Sequence, residues 1–139
     1  MKKITYLFVM MTIMNSCAYM SISQATAPNR DNLLKLSIGM TKEEAINIMG
    51  TKSTIAYSMV GIYGNIPRAV EITNPYRSEI LQGKDKTFEV IYYVTDDKNN
   101  DGAITDDELT PLIFDNGKLI GWGWSFLKDN VEKYEIRIR

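Results

Sequence analysis

The spacing of apolar residues changes once along this chain, and that change restricts the fold more than any other feature. In "TKEEAINIMG" (41–50), Ala45, Ile46, Ile48 and Met49 recur at the helical period, whereas from Ser53 onward apolar residues alternate. Thr41 and Glu44 stand at the two positions of a capping box, and Gly50 falls where a left-handed residue ends a helix. Just upstream, "RDNLLKLSIGM" predicts a first helix with Asp31 as N-cap, Leu33, Leu36 and Met40 on one face, and a stop at Gly39. Downstream, "STIAYSMVGIYG" predicts a strand with Ile55, Tyr57 and Met59 on one side. "TFEVIYYVT" predicts the strongest strand, with Phe88, Val90, Tyr92 and Val94 on one face and Ile91 and Tyr93 on the other. "TNPYRS" and "QGKDK" mark turns, and Asn116-Gly117 marks a tight hairpin. "KYEIRIR" predicts a closing strand with Tyr134, Ile136 and Ile138 inward. Helices first and strands after define an α+β class: two N-terminal helices packed on an antiparallel sheet of three to five strands, so that both bury their apolar surfaces.

A length of 139 residues suits one domain with a core of its own. The formal charge of −1 offers no electrostatic footprint for nucleic acid. Histidine is absent, which removes the commonest general base, most zinc sites and the Ser-His and Cys-His nucleophile pairs. No phosphate-binding glycine loop, nucleophile elbow or dinucleotide fingerprint is present, so the chain is expected not to be an enzyme.

The N-terminus reads as an address. "MKK" is a basic start, and "ITYLFVMMTIM" is an eleven-residue apolar run, too short to span a bilayer comfortably. Cys17, the single cysteine, follows at once in "IMNSC". It can form no disulfide within the chain, and its setting is similar to a bacterial lipobox, with small Ser16 before it. Ordinary cleavage after "SCA" is the competing reading. The expected organisation is a lipoprotein signal peptide at 1–16, a lipidated tether at 17–30 and a single α+β domain at 31–139. Ala18 after the cysteine, by analogy with enteric bacteria, directs such a protein to the outer membrane.

"LSIGMTKEEAINIMG" (36–50) resembles the opening of the SmpA/OmlA domain, the fold of the barrel-assembly lipoprotein BamE. Gly39, Met40, Thr41, Glu44 and Gly50 carry the likeness. The family more often has valine where Ala45 stands and proline near Lys52. The C-terminal half looks like uncharacterised bacterial lipoproteins of similar plan, and related topology occurs in the beta-lactamase inhibitor protein. The resemblance implies a BamE-like fold on the periplasmic face of the outer membrane, anchored by palmitate and other acyl chains on Cys17. It also implies a non-catalytic module that meets another envelope protein.

"DDKNNDGAITDDE" (96–108) raises a second possibility. Counting from Asp97, the pattern of a twelve-residue calcium loop is matched by Asp97, Asn99, Asp101, Ala103 through its carbonyl, Thr105 and Glu108, with Gly102 at the sharp bend. Calcium is thus the one cofactor the sequence suggests, at an affinity on the order of 0.1–1 mM. The flanks favour another assignment. A strand enters the loop, Pro111 ends any exiting helix, and Thr105 with Glu108 forms its own capping box. A calcium-binding periplasmic module and a capped acidic turn therefore both stand as readings. The remaining candidates are interaction residues. Tyr76 and Arg77 sit at a turn, and Trp122 and Trp124 in "GWGWSF" are expected on one strand face, packed in the core or presented to a partner. Gly121 and Gly123, pointing the other way, would let another backbone approach.

Overall fold

The computed structural model describes residues 19–99 and 101–135. The segment expected to be a signal peptide (1–16), Cys17, Ile136 and Ile138 lie outside them. Helix α1 runs from Ile22 to Leu33, well before the expected start. Its cap is Ser21, whose hydroxyl accepts from the Gln24 amide at 3.2 Å while the Gln24 side chain accepts from the Ser21 amide at 3.0 Å. Ile22, Thr26 and Asn29 share the buried face, so most of the segment read as a polar tether is a packed helix. Asp31 lies in its last turn rather than at its cap. The apolar content of this face is low, and polar side chains hold it. Asn29 donates to the Val94 carbonyl at 2.7 Å, and Arg30 donates to the Thr95 carbonyl at 2.9 Å.

Helix α2 (Lys42–Met49) follows the capping box as read, with Thr41 and Glu44 in reciprocal hydrogen bonds of 2.8 and 3.1 Å. Ala45 and Met49 are its buried residues. Strands β1 (Thr54–Val60) and β2 (Ile66–Ile72) form an antiparallel pair. Strands β3 (Arg77–Gln82), β4 (Thr87–Val94), β5 (Leu109–Asp115) and β6 (Lys118–Trp122) form a second antiparallel sheet in that order. Asn116 and Gly117 make the β5–β6 turn with φ of 50° and 74°, as their dipeptide requires. The Gly39–Lys42 stretch rests on that hairpin, through Gly39 amide to Leu119 carbonyl and Leu119 amide to Met40 carbonyl, both 2.8 Å.

The four-stranded sheet is buried on both faces. Phe88, Val90, Tyr92 and Val94 meet Ile22, Ala56, Ile72 and Leu127 on one side. Ile91 and Tyr93 meet Leu36, Ala45, Met49 and Leu112 on the other. Double burial explains why β4 is almost continuously apolar.

Two expectations about faces and elements are overturned. In β1 the buried residues are Ala56 and Ser58, while Ile55 and Met59 are exposed. The inner face must take small residues because Gly102 closes onto it: a Cβ there would lie 3.4 Å from the Ser58 Cβ. At the C-terminus, Trp124–Lys133 is helix α3, not part of a strand-rich ending. Gly123, at φ 90°, turns the chain out of β6, and Leu127 is buried on the sheet. Tyr134 then stands in a turn against Phe88, with ring centroids 5.4 Å apart. Among the described residues the fold is α+β with three helices and two antiparallel sheets, rather than two helices on one sheet.

Candidate functional site

The acidic loop joins β4 to β5, and its geometry is set by Glu108. That side chain is buried at 1% exposure, inside a short 3-10 turn of residues 106–108. One carboxylate oxygen accepts from the Lys98 amide at 2.8 Å and the Asn99 amide at 3.4 Å. The other accepts from the Thr105 amide at 2.9 Å. A carboxylate that gathers backbone N–H groups from both ends of a loop closes it as a staple. The capping box of Thr105 and Glu108 is present as read, and around it the Glu108 amide donates to the Thr105 carbonyl at 3.0 Å while the Thr105 hydroxyl donates to Asp107 at 2.6 Å. That hydroxyl bond, aided by Lys98, holds the Asp107 carboxyl below its ordinary value of 3.8.

The other loop residues face their own neighbours. Asp101 accepts from the Ala103 amide at 2.9 Å, an Asx turn, and its carbonyl accepts from Arg68 at 3.5 Å. Asp106 pairs with Arg77 at 3.1 Å and Asp107 with Lys98 at 3.4 Å. Among the described residues, no group of three His, Cys, Asp or Glu side chains gathers to hold a metal ion. Gly102 has the positive φ, 74°, that the sharp bend of a calcium loop needs. The same bend carries the loop against Arg68 of β2, whose Cδ would lie 2.9 Å from a Cβ at this position.

Three of the four expected interaction residues fall on one side of the large sheet. Tyr76 is half-buried against the core, and its amide donates to the Tyr92 carbonyl at 2.8 Å. The Arg77 guanidinium lies over the Tyr92 ring, 4.3 Å from its centroid, and Trp124 meets the same ring at 5.8 Å. The Tyr92 hydroxyl donates to Glu79, and burial together with that bond raises its pKa. The Trp124 indole donates to the Leu109 carbonyl at 2.7 Å and, with Asp106 and Asp107, lines a shallow cleft of about 260 Å³. Trp122 is separated from this group. It ends β6 and packs on the opposite face, against the cluster that holds Leu36 and Ala45. The change of φ at Gly123 breaks the alternation that would have placed both tryptophans together. Gly121 admits a side chain rather than a backbone, since the Phe126 ring would lie 2.5 Å from a Cβ there.

Residues 69–129 match a family model described as a protein of unknown function, DUF3192. The matched segment runs from the middle of β2 to α3, so it contains Tyr76, Arg77, Glu79, Tyr92, the whole acidic loop and both tryptophans. It excludes residues 36–50, where the resemblance to SmpA/OmlA rests. No curated protein and no solved structure matches the chain.

Sequence reasoning missed Glu79 and Tyr92 as partners, and it missed the hairpin tip. Nothing in sequence pairs Tyr92 with Glu79, because Arg77, not Glu79, is directly opposite Tyr92 in register. The tip did leave a signal. "GIYGN" has the glycines of a turn, yet it carries Ile62 and Tyr63 where turns usually hold polar residues.

Proposed function

We propose that this chain is a lipid-anchored bacterial cell-envelope protein, on the periplasmic face of the outer membrane, that acts as a non-catalytic protein-interaction module. The observation that carries the reading is Cys17, set directly behind a basic start and an eleven-residue apolar run. Support comes also from the ordered chain just after it, where the Met20 carbonyl accepts from the Tyr57 amide at 2.8 Å. Acyl chains on Cys17 would therefore attach to a folded body by only a few residues, in place of a long tether. Two or more chains make such an anchor stable where one is marginal.

The surface we assign to a protein partner is the cleft lined by Asp106, Asp107 and Trp124, together with the Arg77 and Tyr92 stack beside it. Arginine and tryptophan are the side chains that most often dominate interfaces, and here they sit preordered on a buried tyrosine. Assembly or maintenance of the outer membrane is the role the SmpA/OmlA resemblance implies. The decisive experiment is labelled-palmitate incorporation in the bacterium that makes the protein. Wild type is expected to take up label and Cys17→Ser to take up none. Equal labelling of both, or of neither, refutes the anchor.

The calcium reading is favoured by one feature, the positive φ of Gly102 at the bend. Against it stands Glu108, whose two carboxylate oxygens already accept backbone amides.

A further inference from the structure

Between Lys52 and Arg68 lie fifteen residues, Ser53 to Pro67, with no Lys, Arg, Asp or Glu among them. They form β1, the hairpin tip and the start of β2. At the tip, Ile62 is 95% exposed, Tyr63 87% and Ile66 57%. Along the outward face, Ile55 and Met59 are exposed, and Pro67 and Ala69 stand opposite Met59 and Tyr57 in the register. Glu71, opposite Ile55, is the one acid of this face. A two-stranded sheet with its larger apolar side chains turned to water calls for a cover.

The path of the chain indicates what that cover is. Ser21 bridges Tyr57 in parallel, and the Tyr19 ring lies on the Tyr57 ring at 4.7 Å. Toward the N-terminus the chain therefore runs along β1 away from the tip. The segment outside the described residues leaves from this same surface, with Cys17 two residues beyond Tyr19, a reach of at most about 7 Å. Tyr19 and the tip thus bracket the hairpin, roughly 25 Å apart along seven strand residues, and Cys17 is attached at the Tyr19 end. A body fastened to a bilayer at one end of this face has the rest of the face within contact of the same bilayer. Exposed tyrosine and aliphatic side chains, with Glu71 the one carboxylate on the face and far from the tip, suit the boundary between headgroups and acyl chains.

We propose that the outward face of the β1–β2 hairpin lies on a phospholipid bilayer, with Ile62, Tyr63 and Ile66 entering the interface. The inference rests on the lipid-anchor reading and adds an orientation to it. The anchor sets the body down on the hairpin, and the hairpin fixes which way the body faces.

The test mixes the full chain, isolated from the bacterium that makes it, with phosphatidylcholine vesicles and follows amide hydrogen exchange at residues 55–67. Exchange at the tip is expected to slow about tenfold or more on vesicles, while residues 109–122 are unchanged. An Ile62→Ser, Tyr63→Ser double variant keeps its melting temperature, since both side chains are exposed, and loses the slowing. Intact mass reports acylation of Cys17 separately. An acylated chain on vesicles whose tip exchanges as fast as in solution overturns the inference and leaves the anchor standing. Slowing in a chain without acyl groups sustains the bilayer contact and overturns the anchor. A chain that ignores vesicles altogether overturns the inference. So does protection that appears without vesicles and grows with protein concentration, which assigns the face to a second copy.

Discussion

Replacing Glu108 by glutamine separates a staple from a metal ligand. The substitution conserves shape, so no cavity term enters, and it changes one acceptor oxygen into a donor NH₂. The wild-type carboxylate accepts from Lys98 and Asn99 on one oxygen and from Thr105 on the other. Glutamine can keep one side only, and it turns an NH₂ toward the backbone N–H of the other. An unsatisfied buried donor costs about 1–3 kcal/mol, and the surviving bonds lose their charge assistance. The loss is therefore about 2–4 kcal/mol. For a body of this size that corresponds to a fall in Tm of roughly 6–15 °C. The assay is thermal unfolding by circular dichroism at neutral pH, in chelator and again in millimolar calcium. The staple predicts the full loss in chelator and no calcium shift in either protein. A variant that melts with wild type in chelator refutes the reasoning, most plainly if calcium raises the wild-type Tm and not the variant's.

Gly121→Ala places a methyl within 2.5 Å of the Phe126 ring, so a loss of about 1–3 kcal/mol is expected in denaturant unfolding. The same change should cost clearly less in a Phe126→Ala background, and simple additivity would sink this account. Burial pushes Tyr93 up to about 12 and raises Tyr92 still further, aided in Tyr92 by its bond to Glu79. Both groups hold their protons more tightly folded than unfolded, so this contribution is complete below the ordinary value of 10.0 and is lost as pH rises past the folded values. Phenolate absorbance at about pH 11 should accordingly lack two tyrosines until the protein unfolds. The Glu44 carboxyl is held below 4.5 by the Thr41 amide first and the Thr41 hydroxyl second. Its depressed pKa adds stability above 4.5 that fades as pH falls through the folded value. An NMR titration should place its midpoint below 4.5, and Thr41→Ala should move it part-way back.

Helix α2, strand β4 and the β5–β6 turn were legible because each carries its cause locally. The capping box, the run of apolar residues and Asn116-Gly117 need no distant partner to act. Helix α1 was not, because its buried face is Ile22, Thr26 and Asn29, and two of these are polar and bury with their hydrogen bonds satisfied. Thr26 accepts from Arg30 at 2.9 Å, and Asn29 reaches Val94, which is distant in sequence. An apolar-period search passes over such a helix, and Pro28 inside it adds a false stop. Strand β1 was legible as a strand and misread in its facing. Hydrophobicity points Ile55, Tyr57 and Met59 inward, but Gly102, from a loop forty-four residues after Ser58, closes onto the Ser58 side of the strand, and Ala56 and Ser58 are the buried pair.

The acidic loop shows a different limit. A ligand pattern fixes where oxygens occur along a chain, but not what they point at. Asp101 and Glu108 each direct an oxygen at a backbone N–H, the donor that a cation would replace. Which occupant prevails depends on the flanks. Two helices can swing apart to open a loop around an ion, whereas β4 and β5 are locked in register from Phe88–Asp115 to Val94–Leu109. The Thr95 and Asp96 amides carry that lock into the loop by donating to the Glu108 carbonyl at 2.9 and 3.1 Å. With the backbone of residue 108 pinned beside the strand ends, its side chain points into the loop it closes. The amides of Lys98, Asn99 and Thr105 are then its nearest donors. Metal would have to displace three hydrogen bonds to win Glu108, and in this structure those bonds fasten a long hairpin.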